Sequence, residues 1–323
     1  MSRLFDYLRH RRDAALLLAA LMLLLIAVFR PMVPIKRDIY TYLLVADISQ
    51  SMNVIDMSLD GKPASRIAYT QHAMHEIVSA MPCGTRVSMG VFAGVSVSAM
   101  FTPIEVCANY SAIQDTIDHL DWRAAWSGNS RVRESFFTLA RLIRSYPEPA
   151  QVVFFTDGEE APRLHAFNTK DLGGFQGASE WLLVGVGSDK GTAIPKLDEK
   201  NQLIGYWAGD SFAMQPGIAQ ISEANLGVRN DSVASAESDR YLSKLDEEYL
   251  KTITKEISAH YVRGDNMLNI YQAMAQLKPA HRDTAPFAIH WILALAAALL
   301  LLAAYLPKHP VEVIRHRLSK PRG

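Results

Sequence analysis

A doubly wound, mostly parallel α/β sheet flanked by two transmembrane helices is the fold class this sequence predicts, and three observations predict it. Two uncharged apolar segments, residues 14–29 and 285–306, lie near the ends of the 323-residue chain. Between them, near-continuous apolar runs such as IYTYLLVA (39–46), QVVFFT (151–156) and WLLVGV (181–186) alternate with stretches of helical periodicity. Runs without in-out alternation are what strands buried on both faces look like. Finally, oxygen-bearing side chains follow directly after two of these runs, where an open α/β sheet binds its ligands.

The first apolar segment starts behind Arg9, Arg11 and Arg12. Crossing about 30 Å of hydrocarbon takes roughly 20 apolar residues. Residues 14–33 reach that length if Arg30 snorkels to the interface. A cleaved signal peptide is the alternative, but no small-x-small cleavage site follows where Phe29, Arg30 and Pro31 stand. A retained anchor is therefore expected, and residues 285–306 supply a second span. Basic residues set the orientation: Arg3, Arg9, Arg11 and Arg12 precede the first span, and Lys308, Arg315, Arg317, Lys320 and Arg322 follow the second. The expectation is an inner-membrane protein of a bacterium, with cytoplasmic basic tails at 1–13 and 307–323 and a periplasmic domain at 38–264.

Within that domain, strands are expected at 39–46, 86–92, 95–101, 151–156, 181–186 and 260–263, and helices at 66–81, 110–120, 131–143 and 247–258. Helices between strands imply right-handed crossovers onto both faces of one sheet. A polar, turn-rich insertion at 187–239 interrupts the pattern, with a hairpin expected between 194–195 and 203–207. Insertions of this length are commonly binding loops. A linker at 265–284, with a helix starting at Met267, leads to the second span. The chain has 33 basic and 33 acidic side chains, so no overall field attracts nucleic acid, which is excluded as a partner.

Cys83 and Cys107 are the only cysteines, and they stand at the open ends of the hairpin expected from 86–92 and 95–101. A structural disulfide is expected there in an oxidising compartment, with two buried free thiols as the alternative.

Asp47-Ile48-Ser49-Gln50-Ser51 follows the first strand, and Thr156-Asp157-Gly158-Glu159-Glu160 follows the QVVFFT strand. Asp and Ser also cap helices, which is the simpler account of the first group. Glu159 and Glu160 read best as a solvated turn, and His72, His75 and Glu76 as a solvated helix face. A serine hydrolase built on Ser49 or Ser51 lacks a Gly-x-Ser-x-Gly elbow.

Asp-x-Ser-x-Ser after a buried strand, matched by Asp-Gly after a later one, resembles the von Willebrand factor A (VWA) family. That family's metal-ion-dependent adhesion site takes Asp-x-Ser-x-Ser on one loop, a Thr on a second and an Asp on a third. The resemblance implies Asp47, Ser49 and Ser51 on the first loop and Asp157 on the third. The second-loop hydroxyl falls on Ser130, within Ser127-Gly128-Asn129-Ser130, where Ser replaces the usual Thr and Asn129 is a nearby substitute. Such a donor set suits a hard divalent cation, Mg²⁺ first, with Ca²⁺ or Mn²⁺ as alternatives. Hydroxyls donate without adding negative charge, so the ion stays electron-poor and can accept a carboxylate from a client protein.

Two-span chains of this kind are similar to the Bat aerotolerance proteins. They are also similar to the VWA proteins of methanol dehydrogenase maturation clusters, through residues 47–53, Cys83-Gly84, residues 106–110, Asp121-Trp122-Arg123 and residues 194–198. The resemblance implies a non-enzymatic factor that grips a periplasmic client and assists maturation of a quinoprotein dehydrogenase, including insertion of its calcium. The alternative it implies is a scaffold, working with other VWA membrane proteins and coupled through its basic tails to a MoxR-type ATPase in stress tolerance.

Overall fold

The computed structural model describes residues 12–128, 130–209 and 237–305. Its elements in chain order are α1 (Arg12–Val28), β1 (Met32–Ile39), β2 (Thr41–Asp47), β3 (Ile55–Leu59), β4 (Lys62–Ser65), α2 (Arg66–Ala80), β5 (Arg86–Ala93), β6 (Ser96–Ala99) and β7 (Ile104–Glu105). Then come α3 (Tyr110–Asp118), α4 (Val132–Arg144), β8 (Gln151–Thr156), β9 (Trp181–Gly185), β10 (Thr192–Ala193), β11 (Pro195–Leu197) and β12 (Leu203–Tyr206). Last are β13 (Leu242–Ser243), α5 (Glu247–Ile257), β14 (His260–Arg263), α6 (Met267–Met274), β15 (His281–Ala288) and α7 (His290–Tyr305). The chain divides into two units, residues 38–281 and the paired end segments 1–37 and 282–323.

In the larger unit the sheet runs β14-β9-β8-β2-β5-β6, and β7 also pairs with β5. The pairs from β14 to β5 are parallel, while β6 and β7 run antiparallel to β5. β2 is buried along its whole length because both faces of its pleat are covered. Leu44 and Ala46 enter a core with Ala73, Met74 and Ile77 of α2 and Ile113 and Ile117 of α3. Leu43 and Val45 enter the opposite core with Phe136 and Leu139 of α4 and Leu250 and Ile253 of α5. This is the expected three-layer α/β fold. The chain leaves β2 for β5 on one side and later returns to β8 on the other, so the carboxyl ends of β2 and β8 flank the topological switch point.

The β5–β6 hairpin forms as expected, and a Cys83–Cys107 disulfide closes its base with the Cα atoms 5.2 Å apart. Glu105 braces that base by accepting the backbone N–H groups of Gly84 and Ala108, both at 2.6 Å. These bonds hold its carboxyl below the ordinary range. The hairpin within the insertion also forms, β11 pairing with β12. Residues 210–236 of the insertion, Asn129 and both tails (1–11 and 306–323) lie outside the described residues, and the ATPase-coupled reading rests on those tails.

In the end segments the helices are shorter than the expected spans. Residues 14–33 are helical only through Val28: Arg30 takes a positive φ of 47°, Pro31 follows, and the chain becomes β1. Residues preceding a proline are driven out of the helical region. Likewise 285–306 begins in β15, which pairs with β1, and is helical only from His290. The 265–284 linker is helical over Met267–Met274 alone, with Asn266 as its cap. At 17 and 16 residues, neither helix is long and apolar enough to cross a membrane, and no other described helix is.

Candidate metal centre

Asp47 ends β2 and is fully buried. Its Oδ1 accepts the Ser49 backbone N–H at 2.9 Å, and its Oδ2 accepts the Thr156 hydroxyl at 2.7 Å. The Ser49 and Ser51 hydroxyls lie 3.1 Å apart. The helix-cap account of this loop does not hold. The helical turn Gln50–Asn53 starts after Ser49, whose side chain makes no capping bond. The next long helix, α2, begins beyond the β3–β4 hairpin and is capped by Ser65. Burial, reinforced by the nearby charge of Asp157, pushes the Asp47 carboxyl up to about 7.

Ser130 is pinned between two strand ends. Its N–H donates to the Ala161 carbonyl at 3.1 Å, the Ala161 N–H returns to the Ser130 carbonyl at 2.8 Å, and the Arg131 N–H donates to Gly94 O at 2.7 Å. Gly94 follows β5 and Ala161 follows β8, so the loop threads between the two. The Ser130 hydroxyl is buried and has no hydrogen-bond partner among the described residues. Such an orphan costs about 1–3 kcal/mol, and a bound cation would remove that cost.

Asp157 follows β8 and is also fully buried. Its Oδ1 accepts the Glu159 N–H at 2.9 Å, and its Oδ2 accepts Nη1 of Arg66 at 2.7 Å. Arg66, the first residue of α2, is fully buried too. Its Nη1 also donates to Ser243 Oγ at 2.8 Å, and its Nε and Nη2 grip Asp56 at 3.0 and 2.7 Å. Burial works against this charge, but Asp157 and Asp56 outweigh it and hold the guanidinium above its ordinary pKa. Gly187 makes room for the group: its φ is +130°, and a Cβ there would stand 2.9 Å from Arg66 Nε.

Arg66, Asp56, Ser243 and Thr156 are site residues that the sequence reading missed. One signal was available: an arginine opening a helix faces the positive end of the helix dipole, where acidic residues are the favoured type. A buried carboxylate partner is the reason an arginine can stand there.

The solvated-turn reading of Glu159 and Glu160 is overturned. Glu160 is 8% exposed and accepts the Tyr249 hydroxyl at 2.6 Å and the Arg133 N–H at 2.9 Å. Glu159 accepts the hydroxyls of Tyr241 and Ser243, both at 2.6 Å. Burial pushes both carboxyls up to about 7, with Asp157 adding to the effect at Glu159. His72 and Glu76 are exposed as expected, while His75 hydrogen-bonds Gln114 and Asp118 of α3.

The carboxylates of Asp47 and Asp157 and the hydroxyls of Ser49 and Ser51 stand at the switch point, the Ser130 segment is bonded to the loop after β8, and all five are oxygen donors of the kind that suits a hard divalent ion. Beside the first loop lies a cavity of about 660 Å³, lined in part by Asn53, Ile55, Ile67, Trp122, Leu203 and Tyr206. Its far wall is a clasp between two segments distant in sequence. The Trp122 indole donates to Asn201 Oδ1 at 2.8 Å, and Asn201 Nδ2 donates to Asp121 at 3.2 Å.

Residues 42–160 match the family described as von Willebrand factor type A domain. A UPF0353 protein of Mycobacterium sp. (strain KMS) is 30% identical over 164 residues, which cover 49% of this chain and 46% of that relative. A UPF0353 protein of Mycobacterium avium is 25% identical over 274 residues, 78% of this chain and 71% of the relative. The chain thus spans about half the length of the first of these relatives. Among solved structures, the conserved hypothetical protein BatB from Bacteroides thetaiotaomicron superposes with a TM-score of 0.50 at 18% identity, over 73% of this chain and 98% of that one. That likeness shows the fold.

Proposed function

Residues 42–160 are a von Willebrand factor type A domain, and on that premise we propose that the chain is a divalent-cation-dependent protein-binding factor. Asp47, Ser49, Ser51 and Ser130 hold Mg²⁺, with Asp157 beside them, and the ion accepts a carboxylate from a client protein. The carrying observation is the buried hydroxyl of Ser130, unpartnered among the described residues, on a segment held by backbone bonds to Ala161, in the loop that also bears Asp157, and to Gly94 after β5. A loop of this kind without a ligand would be expected to turn its hydroxyl to a neighbouring carbonyl. The mostly apolar cavity beside Asn53 gives the client's flanking residues a place to lie.

We place the domain outside the cytoplasm of a bacterium, tethered at the inner membrane by its end segments. Supporting this reading are the disulfide, which belongs in an oxidising compartment, and the bare apolar side chains of α1 and α7. Leu18 is 64% exposed and Leu302 60%. The client that fits the resemblance to methanol dehydrogenase maturation proteins is a periplasmic quinoprotein dehydrogenase.

Calorimetric titration of the purified chain with Mg²⁺ and with Mn²⁺ tests the reading. One cation is expected to bind, and Asp47→Ala to abolish binding. Capture of a dehydrogenase client is expected to need the cation and to fail with Asp47→Ala. Capture that persists in chelator would sink the proposal.

A further inference from the structure

Arg66 is fully buried, and it stands between two carboxylates whose other contacts differ. Asp56 takes a forked grip from Nε and Nη2, while Asp157 receives Nη1 alone at 2.7 Å. A stability argument does not explain this arrangement, since buried ion pairs are commonly matched or bettered by apolar residues of similar volume. Its position does: the guanidinium touches one of the two carboxylates of the candidate metal centre and leaves the other alone. Asp47 is met by the Ser49 backbone N–H and by the hydroxyls of Thr156 and Ser49, with no cationic partner among the described residues. A carboxylate has about four lone-pair sites. Asp157 uses two, one for Glu159 N and one for Arg66, so it keeps capacity to meet a cation or its water.

We propose that Arg66 is a positioning residue that sets how strongly the bound cation attracts an incoming carboxylate. The proposal rests on the cation-binding reading and deepens it. By holding Asp157, the guanidinium reduces the negative charge that the site gives to the ion. Affinity for the ion falls, and the ion that does bind keeps more uncompensated positive charge for the client's carboxylate. Asp56 is the counterweight: its forked grip draws the guanidinium's charge partly away from Asp157. The site therefore exchanges grip on its metal for grip on its ligand.

A purely structural role for Arg66 makes a different forecast, because structural damage weakens both affinities together. The experiment uses the purified full chain and two probes: Mn²⁺, followed by water-proton relaxation, and acetate, followed as it displaces water from the bound Mn²⁺. The double variant R66M/D56N removes one charge of each sign, so net charge is unchanged and no lone buried carboxylate is left at position 56. Mn²⁺ is expected to bind about tenfold more tightly and acetate several-fold more weakly than in the wild type. D56N alone directs the whole guanidinium charge to Asp157, and both shifts are expected to reverse: Mn²⁺ weaker, acetate tighter. D56N keeps the test open if the double variant does not fold. Affinities that move together, or that do not move, would overturn the role of Arg66 while leaving the metal site standing. A wild-type chain that binds no Mn²⁺ would overturn both.

Discussion

The carboxyl ends of the adjacent parallel strands β2 and β8 each present a fully buried aspartate, Asp157 lying one residue further along the register than Asp47. Their surroundings differ. Asp47 is met by hydroxyls and one amide, and its carboxyl is pushed up to about 7. Asp157 is met by a guanidinium that is itself locked to Asp56 and Ser243. A buried carboxylate with a cation partner belongs to the fold's own charge balance. One without a partner is left to find a proton or an external cation. The two aspartates therefore share a site but differ in what they need from outside the chain.

The largest expected effect tests that difference directly. In chelator, Arg66→Met leaves Asp157 and Asp56 buried without a counter-charge and is expected to cost about 3–5 kcal/mol in a denaturant melt. Asp47→Asn under the same conditions is expected to cost nothing or to stabilise slightly, because it removes a buried acid that has no counter-charge among the described residues. Equal losses from the two substitutions would erase the distinction.

A backbone effect comes next. Gly158 has a φ of +74°, and a Cβ there would stand 2.6 Å from Leu250 Cγ in the α5 core. Gly158→Ala is expected to cost about 2 kcal/mol or more, from strain and overpacking together. Ser51→Ala in the opposite loop meets no such constraint and is expected to stay within about 1 kcal/mol in chelator. Thermal melts of the two variants compare the rigidity of the loops.

How much of this was legible in the sequence depends on the range of the interaction. QVVFFT and IYTYLLVA announced themselves as strands because burial on both faces removes alternation, and a doubly wound, mostly parallel sheet followed from the helices between them. The first and third loops were legible because a motif and its strand are contiguous. Arg66 was not, since its partners lie 10, 91 and 177 residues away and no local pattern encodes such a grip. Glu159 and Glu160 were misread for the same reason: Tyr241 and Tyr249, which bury and bond them, lie more than 80 residues downstream. The apolar end segments differ from the expected spans in another way. Hydropathy does not register that Pro31 and Pro286 end or delay a helix, and so it counted strand residues as part of the spans.

A smaller effect lies in the pH dependence. Asp47, Glu159 and Glu160 each have a carboxyl raised to about 7 in the folded chain, against about 4 to 4.5 when unfolded. Between those values the native state binds more protons than the unfolded one, so stability falls as pH rises. In chelator the melting temperature is expected to drop from pH 5 to pH 8. Glu160→Gln is expected to flatten part of that slope, since Glu160 stands apart from the Asp47–Asp157 pair. Saturating Mg²⁺ is expected to flatten the share due to Asp47, since a bound cation favours its ionised form. A slope unaffected by either change would assign the titration elsewhere.

The smallest expected effect is on the loop between the two aspartates, and it separates a ligand from a filler. Ser130→Ala removes a buried hydroxyl that bonds nothing among the described residues. Without cation the variant is expected to match or exceed the wild type by up to about 1 kcal/mol, because an orphan polar group is lost and only a small void is left. With Mg²⁺ the order is expected to reverse, since the variant lacks an oxygen donor and gains less from the ion. Melts with and without Mg²⁺ read both halves. A variant that loses stability in chelator would show the hydroxyl already satisfied within the fold, and Ser130 would then belong with Asp157, as part of the domain's internal balance, and not with Asp47.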